Sequence, residues 1–182
     1  MIARLVRLGI TGIVVLAGVS ACGRKGPPLP PLRPVPGHVT DLAATRVDDR
    51  VTLTFSVPRA NRDGSTPSAV QHVEIYVVET AATAPVPTPE KVLEADRLLT
   101  SIDVRPADAV RAPGDPPDTR PGPGEQARFV DVLAGRPIGA ADAPTRHYVA
   151  IGVTGNRRGA PSLVTSVPLS KAPDGLRARE RR

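Results

Sequence analysis

The chain has 182 residues and a formal charge of +6, with 22 Pro, 16 Gly, two Phe, two Tyr, one Cys and no Trp. A core must therefore come from Val, Ile, Leu and Ala, the length suits one domain, and a single cysteine excludes both an internal disulfide framework and a Cys-based zinc site within one chain. The positive balance does not point to nucleic acid: the Lys and Arg are interleaved with acids, no aromatics lie beside them to stack on bases, and the densest run, Arg177, Arg179, Arg181 and Arg182, falls in a basic tail, 171–182, expected to fray.

Residues 1–7, "MIARLVR", carry Arg4 and Arg7, and residues 8–19 are uncharged and mostly apolar. A spanning helix needs ~20 apolar residues, so this shorter run predicts an export signal. The lone cysteine follows it, in "VSACGRKGPP". Val19-Ser20-Ala21-Cys22 resembles the lipobox of bacterial lipoproteins: an aliphatic residue, two small residues that let the backbone enter a peptidase groove, and a nucleophilic thiol. The usual first residue is Leu, and Val19 is an accepted departure. The resemblance implies a signal peptide over 1–21, cleavage between Ala21 and Cys22, a thioether-linked diacylglycerol on Cys22 and an acyl chain on the new amine. No other cofactor is implied. Membrane lipid is then a partner through Cys22, held durably, since each buried methylene contributes ~0.8 kcal/mol and two or more chains anchor where one is marginal. Gly23 stands where an Asp would mark inner-membrane retention in many Gram-negative bacteria, which favours the periplasmic face of the outer membrane or the cell surface. "CGRKGPPLPP" is also similar, through Cys22, Gly23, Lys25, Gly26 and Pro27, to the opening of small lipoproteins that assist lipopolysaccharide-transport machinery. That resemblance implies an alternative role in assembling such machinery.

Residues 27–36 hold six prolines in ten, a density that favours polyproline II. Residues 22–37 read as a stalk reaching roughly 50 Å at ~3.1 Å per residue. PxxP spacing is present, but a spacer explains it without an aromatic-groove partner.

Beyond the stalk the signal is period 2. "VTDLAATRV", 39–47, is a strand candidate, and "RVTLTFSVP", 50–58, alternates Val51, Leu53, Phe55 and Val57 against Thr52, Thr54 and Ser56. "NRDGSTP" is a turn cluster. A strand over 70–79 puts Val73, Ile75 and Val77 on one face. An insertion, 81–126, follows. It contains a short helix opening at Thr88 as N-cap, Pro89 and Glu90, a strand over 100–104, and a proline-rich stretch, 111–126, expected to be a mobile loop. Strands are predicted at 127–133, at 146–155 with Val149, Ile151 and Val153 on the buried face, and at 162–169, with "NRRGAPS" as a turn.

These pieces resemble a fibronectin type III domain. "VTLTFSVP" stands where that family has Val-x-Leu-x-Trp-x-x-Pro, with Phe55 for the Trp, and Asn156, Gly159 and Ser162 match its Asn-x-x-Gly-x-x-Ser turn. The resemblance implies an all-β, seven-stranded fibronectin type III or immunoglobulin-like sandwich over 38–170, with a long insertion containing one short helix. The segments 38–80 and 125–170 together approach the ~100 residues typical of such domains. Counting back from Asn156 makes Tyr148 the family's corner tyrosine, whereas the apolar face would put His147 there; a bulge would reconcile them. The tail "APDGLRARERR" resembles the lead into another such domain, which leaves a two-domain relative or a truncation open.

No catalytic constellation is present. His72 and His147 lie on strands that neighbour in this fold, but two histidines without a carboxylate make a poor metal site, so no metal is expected. Asp48, Asp49 and Asp63 need only be turn residues. The best contact candidate is the last hairpin loop, Asn156, Arg157 and Arg158, because loops on a rigid sandwich carry recognition and adjacent arginines pair with phosphate or carboxylate. The expectation is a non-enzymatic, membrane-anchored envelope lipoprotein presenting an interaction module to an envelope protein or glycan.

Overall fold

The computed structural model describes residues 34–109, 112–135, 138–140 and 142–170; the expected signal peptide, Cys22, the expected stalk as far as Arg33 and the basic tail lie outside them. The elements follow in chain order as β1 (Thr40–Val47), β2 (Arg50–Ser56), β3 (His72–Thr80), α1 (Pro89–Glu94), β4 (Leu98–Asp103), β5 (Gln126–Val132), β6 (Thr145–Thr154), β7 (Arg157–Pro161) and β8 (Thr165–Pro168). Two antiparallel sheets form a sandwich. One is ordered β1-β2-β5. In the other, β4-β3-β6, the far edge of β6 carries β7 and β8 one after the other. The expected all-β sandwich with one short helix is what the chain forms.

The alternation of β2 does what its pattern predicts: Val51, Leu53, Phe55 and, just beyond the strand, Val57 are all buried between the sheets. From the opposite sheet Val73, Ile75 and Val77 of β3 meet them. The β1–β2 hairpin closes on Asp48-Asp49 with Asp48 at φ 53°, a left-handed position that Asp tolerates. Asp63 likewise serves its turn, its Oδ1 accepting from Ser65 N at 2.9 Å and Ser65 Oγ at 2.6 Å; these bonds hold its carboxyl below the usual range.

The face assignment of β6 needs correction. The β3–β6 register runs unbroken from His72↔Val153 to Thr80↔Thr145, so no bulge shifts it. Residues opposite in an antiparallel pair share a face, so Gly152, Ala150 and Tyr148 lie on the same face as Val73, Ile75 and Val77 and look into the sandwich. Val149, Ile151 and Val153 are buried on the outer face, with Tyr76 and under Val92 of α1. The strand is apolar on both faces because both are covered, as in sheets sandwiched between layers. Tyr148 therefore faces the interior of the sandwich, and His147 the outer face.

α1 begins at the expected Pro89, but Thr88, although extended (φ −72°, ψ 158°), makes no side-chain cap bond. The helix is held by Val92, which is fully buried, rather than by its cap. The segment "NRRGAPS", expected as a turn, is mostly strand. Only Gly155 and Asn156 turn, and β7 runs from Arg157 before the chain breaks and resumes as β8. The proline-rich loop lacks regular structure, as expected, but its last residues are tied down: Gly124 N donates to Val57 O at 3.0 Å and Glu125 N to Gly122 O at 3.0 Å.

Candidate functional site

The chain reaches the sandwich through Val35–Gly37, three residues that read as stalk from the sequence. Arg62 N donates to Val35 O at 2.9 Å, Gly37 N donates to Ala60 O at 2.9 Å, and Pro36 bridges Asn61. This lead-in lies against Gly159, where an added Cβ would stand 2.6 Å from Pro36 O and 2.8 Å from Gly37 O. The glycine of the Asn156-x-x-Gly159-x-x-Ser162 motif is thus needed for close backbone approach. Asn61 organises the facing loop: its Nδ2 donates to Ser65 Oγ at 2.9 Å and Pro67 O at 3.3 Å, and its Oδ1 accepts from Ala69 N at 2.9 Å. A cavity of about 640 Å³ beside the lead-in is lined by His38, Arg59, Arg62, Thr40 and Ser56 among others.

The predicted contact loop separates on folding. Asn156 is exposed in the turn, while Arg157 and Arg158 belong to β7. Arg158 lies flat on the outer sheet face, its guanidinium 5.4 Å from the Tyr76 ring centroid, donating to Tyr76 Oη at 2.6 Å and 3.4 Å from Glu74 Oε2. Tyr76 Oη in turn donates to Glu74 Oε2 at 2.9 Å. Burial and the Glu74 hydrogen bond push the Tyr76 hydroxyl pKa up. Arg158 is therefore already partnered, and Arg157 is half-buried with its Nη1 lacking a hydrogen-bond partner. The three residues form no shared concave surface.

His72 and His147 do not approach. In the shared register His72 pairs with Val153 and His147 faces Val78, six residues along, a separation of ~20 Å at ~3.3 Å per residue. Among the described residues no group of three or more His, Cys, Asp or Glu could hold a metal. His147 is buried instead between two hydroxyls, Nε2 2.9 Å from Thr80 Oγ1 and Nδ1 2.7 Å from Ser166 Oγ. Burial lowers its pKa. Because the unfolded chain then binds the extra proton more readily, this group's contribution to stability is full above the unfolded value of about 6.5 and falls as the pH drops towards the folded value. Urea denaturation between pH 7 and pH 5 is expected to show that loss, and His147→Gln, which keeps a donor and an acceptor, is expected to flatten it; an unchanged slope in the variant would assign the dependence elsewhere.

The sequence reading missed the most buried polar cluster. Arg146 of β6, with its side chain 4% exposed, reaches Asp131 of β5 in the opposite sheet (Nε–Oδ2 2.9 Å) and Glu79 of β3 (Nη1–Oε1 2.5 Å). Its Nε also donates to Tyr148 Oη at 3.0 Å, and Tyr148 Oη donates to Asp131 Oδ2 at 2.8 Å. Burial and Asp131 push the Tyr148 hydroxyl pKa well up, so it stays a donor. Asp131 stands within a strand rather than a turn, in "RFVDV", and an acid at an inward position of an alternating strand was the available signal. The cluster ties the two sheets together across the core.

In comparisons with known proteins, no family model, no curated protein and no solved structure matches the chain.

Proposed function

We propose that the protein is a non-enzymatic envelope lipoprotein, anchored by acyl chains on Cys22, that presents a fibronectin type III-like module as an interaction surface. The observation that carries this reading is the single cysteine, placed directly after Val19-Ser20-Ala21 and a short apolar run. The strand order β1-β2-β5 against β4-β3-β6 supports the module's kinship. The two titratable clusters support a binding role over catalysis: Arg146 with Asp131 and Arg158 with Glu74 hold sheets and strands together. The lead-in at Val35–Gly37 would hold the module to its stalk by backbone pairing. Gly23 after the lipidated residue, where Asp would mark inner-membrane retention, favours the periplasmic face of the outer membrane or the cell surface, and the partner is an envelope protein or glycan.

The deciding experiment is the intact mass of the membrane-extracted protein beside a Cys22→Ser variant. The expected result is loss of residues 1–21 and gain of acyl mass in the native protein alone; an unmodified native chain overturns the reading. A second reading, assistance to lipopolysaccharide-transport assembly, is favoured by Cys22, Gly23, Lys25, Gly26 and Pro27. Deleting residues 38–182 separates the two, since that activity would survive on the lipidated head and module binding would not.

A further inference from the structure

A sandwich has four strand edges, and each unpaired edge is a template for another strand. Three of them here are blunted. The β1 edge breaks register between Thr40 and Ala43, with Asp41 at φ 56°, and Arg46 Nη1 on that side donates to Ser170 O at 3.1 Å and to Pro168 O. The β7–β8 edge is interrupted, shifts register between Ile151 and Val153, and carries Pro161 and Pro168. The β4 edge shifts register between Ile75 and Tyr76 of its partner. The β5 edge has none of these devices. It pairs with β2 in continuous register from Arg50↔Val132 to Ser56↔Gln126, contains no proline, and has no backbone partner on its other side among the described residues. Alternate N–H and C=O groups of an antiparallel edge strand point outward for a further strand.

The side chains define what would fit. Ala127 and Phe129 face inward, and Phe129 is half-buried against the core, as are Leu99 and Ile102 of β4. Ile102 of β4 and Gln126, Ala127 and Arg128 of β5 line a depression of about 270 Å³ that is completed by Arg105, Glu125 and the loop from Asp118 to Pro121. An added strand would turn aliphatic residues towards this seam. On the outward face, β5 shows Gln126, Arg128, Val130 and Val132, beside Arg50, Thr52 and Thr54 of β2. These two strands present no carboxylate of their own there; Asp41 of β1 accepts from Ser56 Oγ at 3.0 Å at one end of the face, and Asp49 in the turn lies 4.0 Å from Arg50 at the other, so Arg128 stands between them. Arg105 and Arg120 near the depression already hold Glu125 at 2.6 Å and Asp118 at 2.8 Å, the latter carboxyl kept at about 2 by Arg120. Arg128 makes only a 3.5 Å contact to Thr52 Oγ1. A second copy would bring further arginines to a face that already carries two, and like charges across strands are unfavourable. Charge complementarity selects an acidic segment.

We propose that the β5 edge, Gln126–Val132, accepts an extended segment of a partner protein as an added strand, with aliphatic side chains turned into the β4–β5 seam and acidic side chains beside Arg128. This is strand addition, in which backbone hydrogen bonds supply affinity and alternate side chains supply specificity. It deepens the interaction-module reading without depending on lipidation, so the Cys22→Ser full chain serves as well as the native one and failure of the anchor is visible separately from failure of the site.

The test is residue-resolved amide hydrogen exchange of the full chain with a blocked nonapeptide alternating valine and glutamate, and with its lysine-for-glutamate counterpart. The expected result is saturable protection confined to Gln126–Val132 with the glutamate peptide, at least tenfold tighter than with the lysine peptide. Arg128→Glu is expected to reverse that preference, while the unchanged protection of Leu53 and Ile75 reports an intact fold. No protection at Gln126–Val132, or a preference unmoved by Arg128→Glu, overturns the proposal. Protection that rises with protein concentration in the absence of peptide also overturns it, by assigning the edge to a second copy.

Discussion

Arg146→Ala is expected to lower the stability of the domain by about 3–5 kcal/mol, the cost typical of leaving a buried charge without its partner. Asp131 has its side chain only 6% exposed, and its Oδ2 would keep only the Tyr148 hydroxyl. Glu79, at 24%, can turn towards water, so the loss is concentrated on Asp131. Buried ion pairs replaced as a set by apolar residues are often neutral or stabilising. The triple change Arg146→Met, Asp131→Leu and Tyr148→Phe is therefore expected to regain most of what the single change loses. Urea denaturation at pH 7 measures both. A single variant within 1 kcal/mol of the native chain would mean that water reaches this cluster, and a triple variant no better than the single would mean that its geometry, not its charge, joins the sheets.

Gly159→Ala is expected to cost about 2 kcal/mol, within the range for forcing extra volume into a packed site, and to release the lead-in. The added Cβ would meet Pro36 O, Gly37 O and Gly152 O at 2.6, 2.8 and 3.2 Å, all backbone atoms that cannot rotate away. The strand of least resistance is Val35–Gly37, which is held by two hydrogen bonds, whereas β6 is paired along its length. Limited proteolysis should therefore cut near Val35–Gly37 in the variant before it cuts elsewhere, alongside a lower denaturation midpoint. Unchanged stability together with an unchanged cleavage pattern would show that β7 shifts to make room.

Local chemistry carried much of the fold into the sequence. The Val51, Leu53, Phe55 alternation, the Asp48-Asp49 and Asp63 turns and the Pro89-Glu90 helix start are each decided by a few adjacent residues, and each stands where it was expected. The contact loop was legible only as a place. Asn156 is in the turn, but the partners that occupy Arg158, Tyr76 and Glu74, come from a strand some 80 residues earlier in the chain (82 for Tyr76), and no local pattern could name them.

The sequence by itself determined that the core would be aliphatic, that the strands would be short and antiparallel, and that a lone cysteine would sit between an apolar run and a proline-rich one. Tertiary structure decided which face of β6 looks inward, that His72 and His147 stand apart, that Arg146 and Asp131 meet, and which strand edge stays open. The reason is physical. Period 2 separates two faces of a strand but does not say what covers each, and here Val92 and Leu93 of α1, with Tyr76, Val78 and Val164, join Val149, Ile151 and Val153 in an apolar cluster on the outer face of β6. Ion pairs, register and edges depend on which strands become neighbours, and that is settled only when the whole chain buries its aliphatic faces at once.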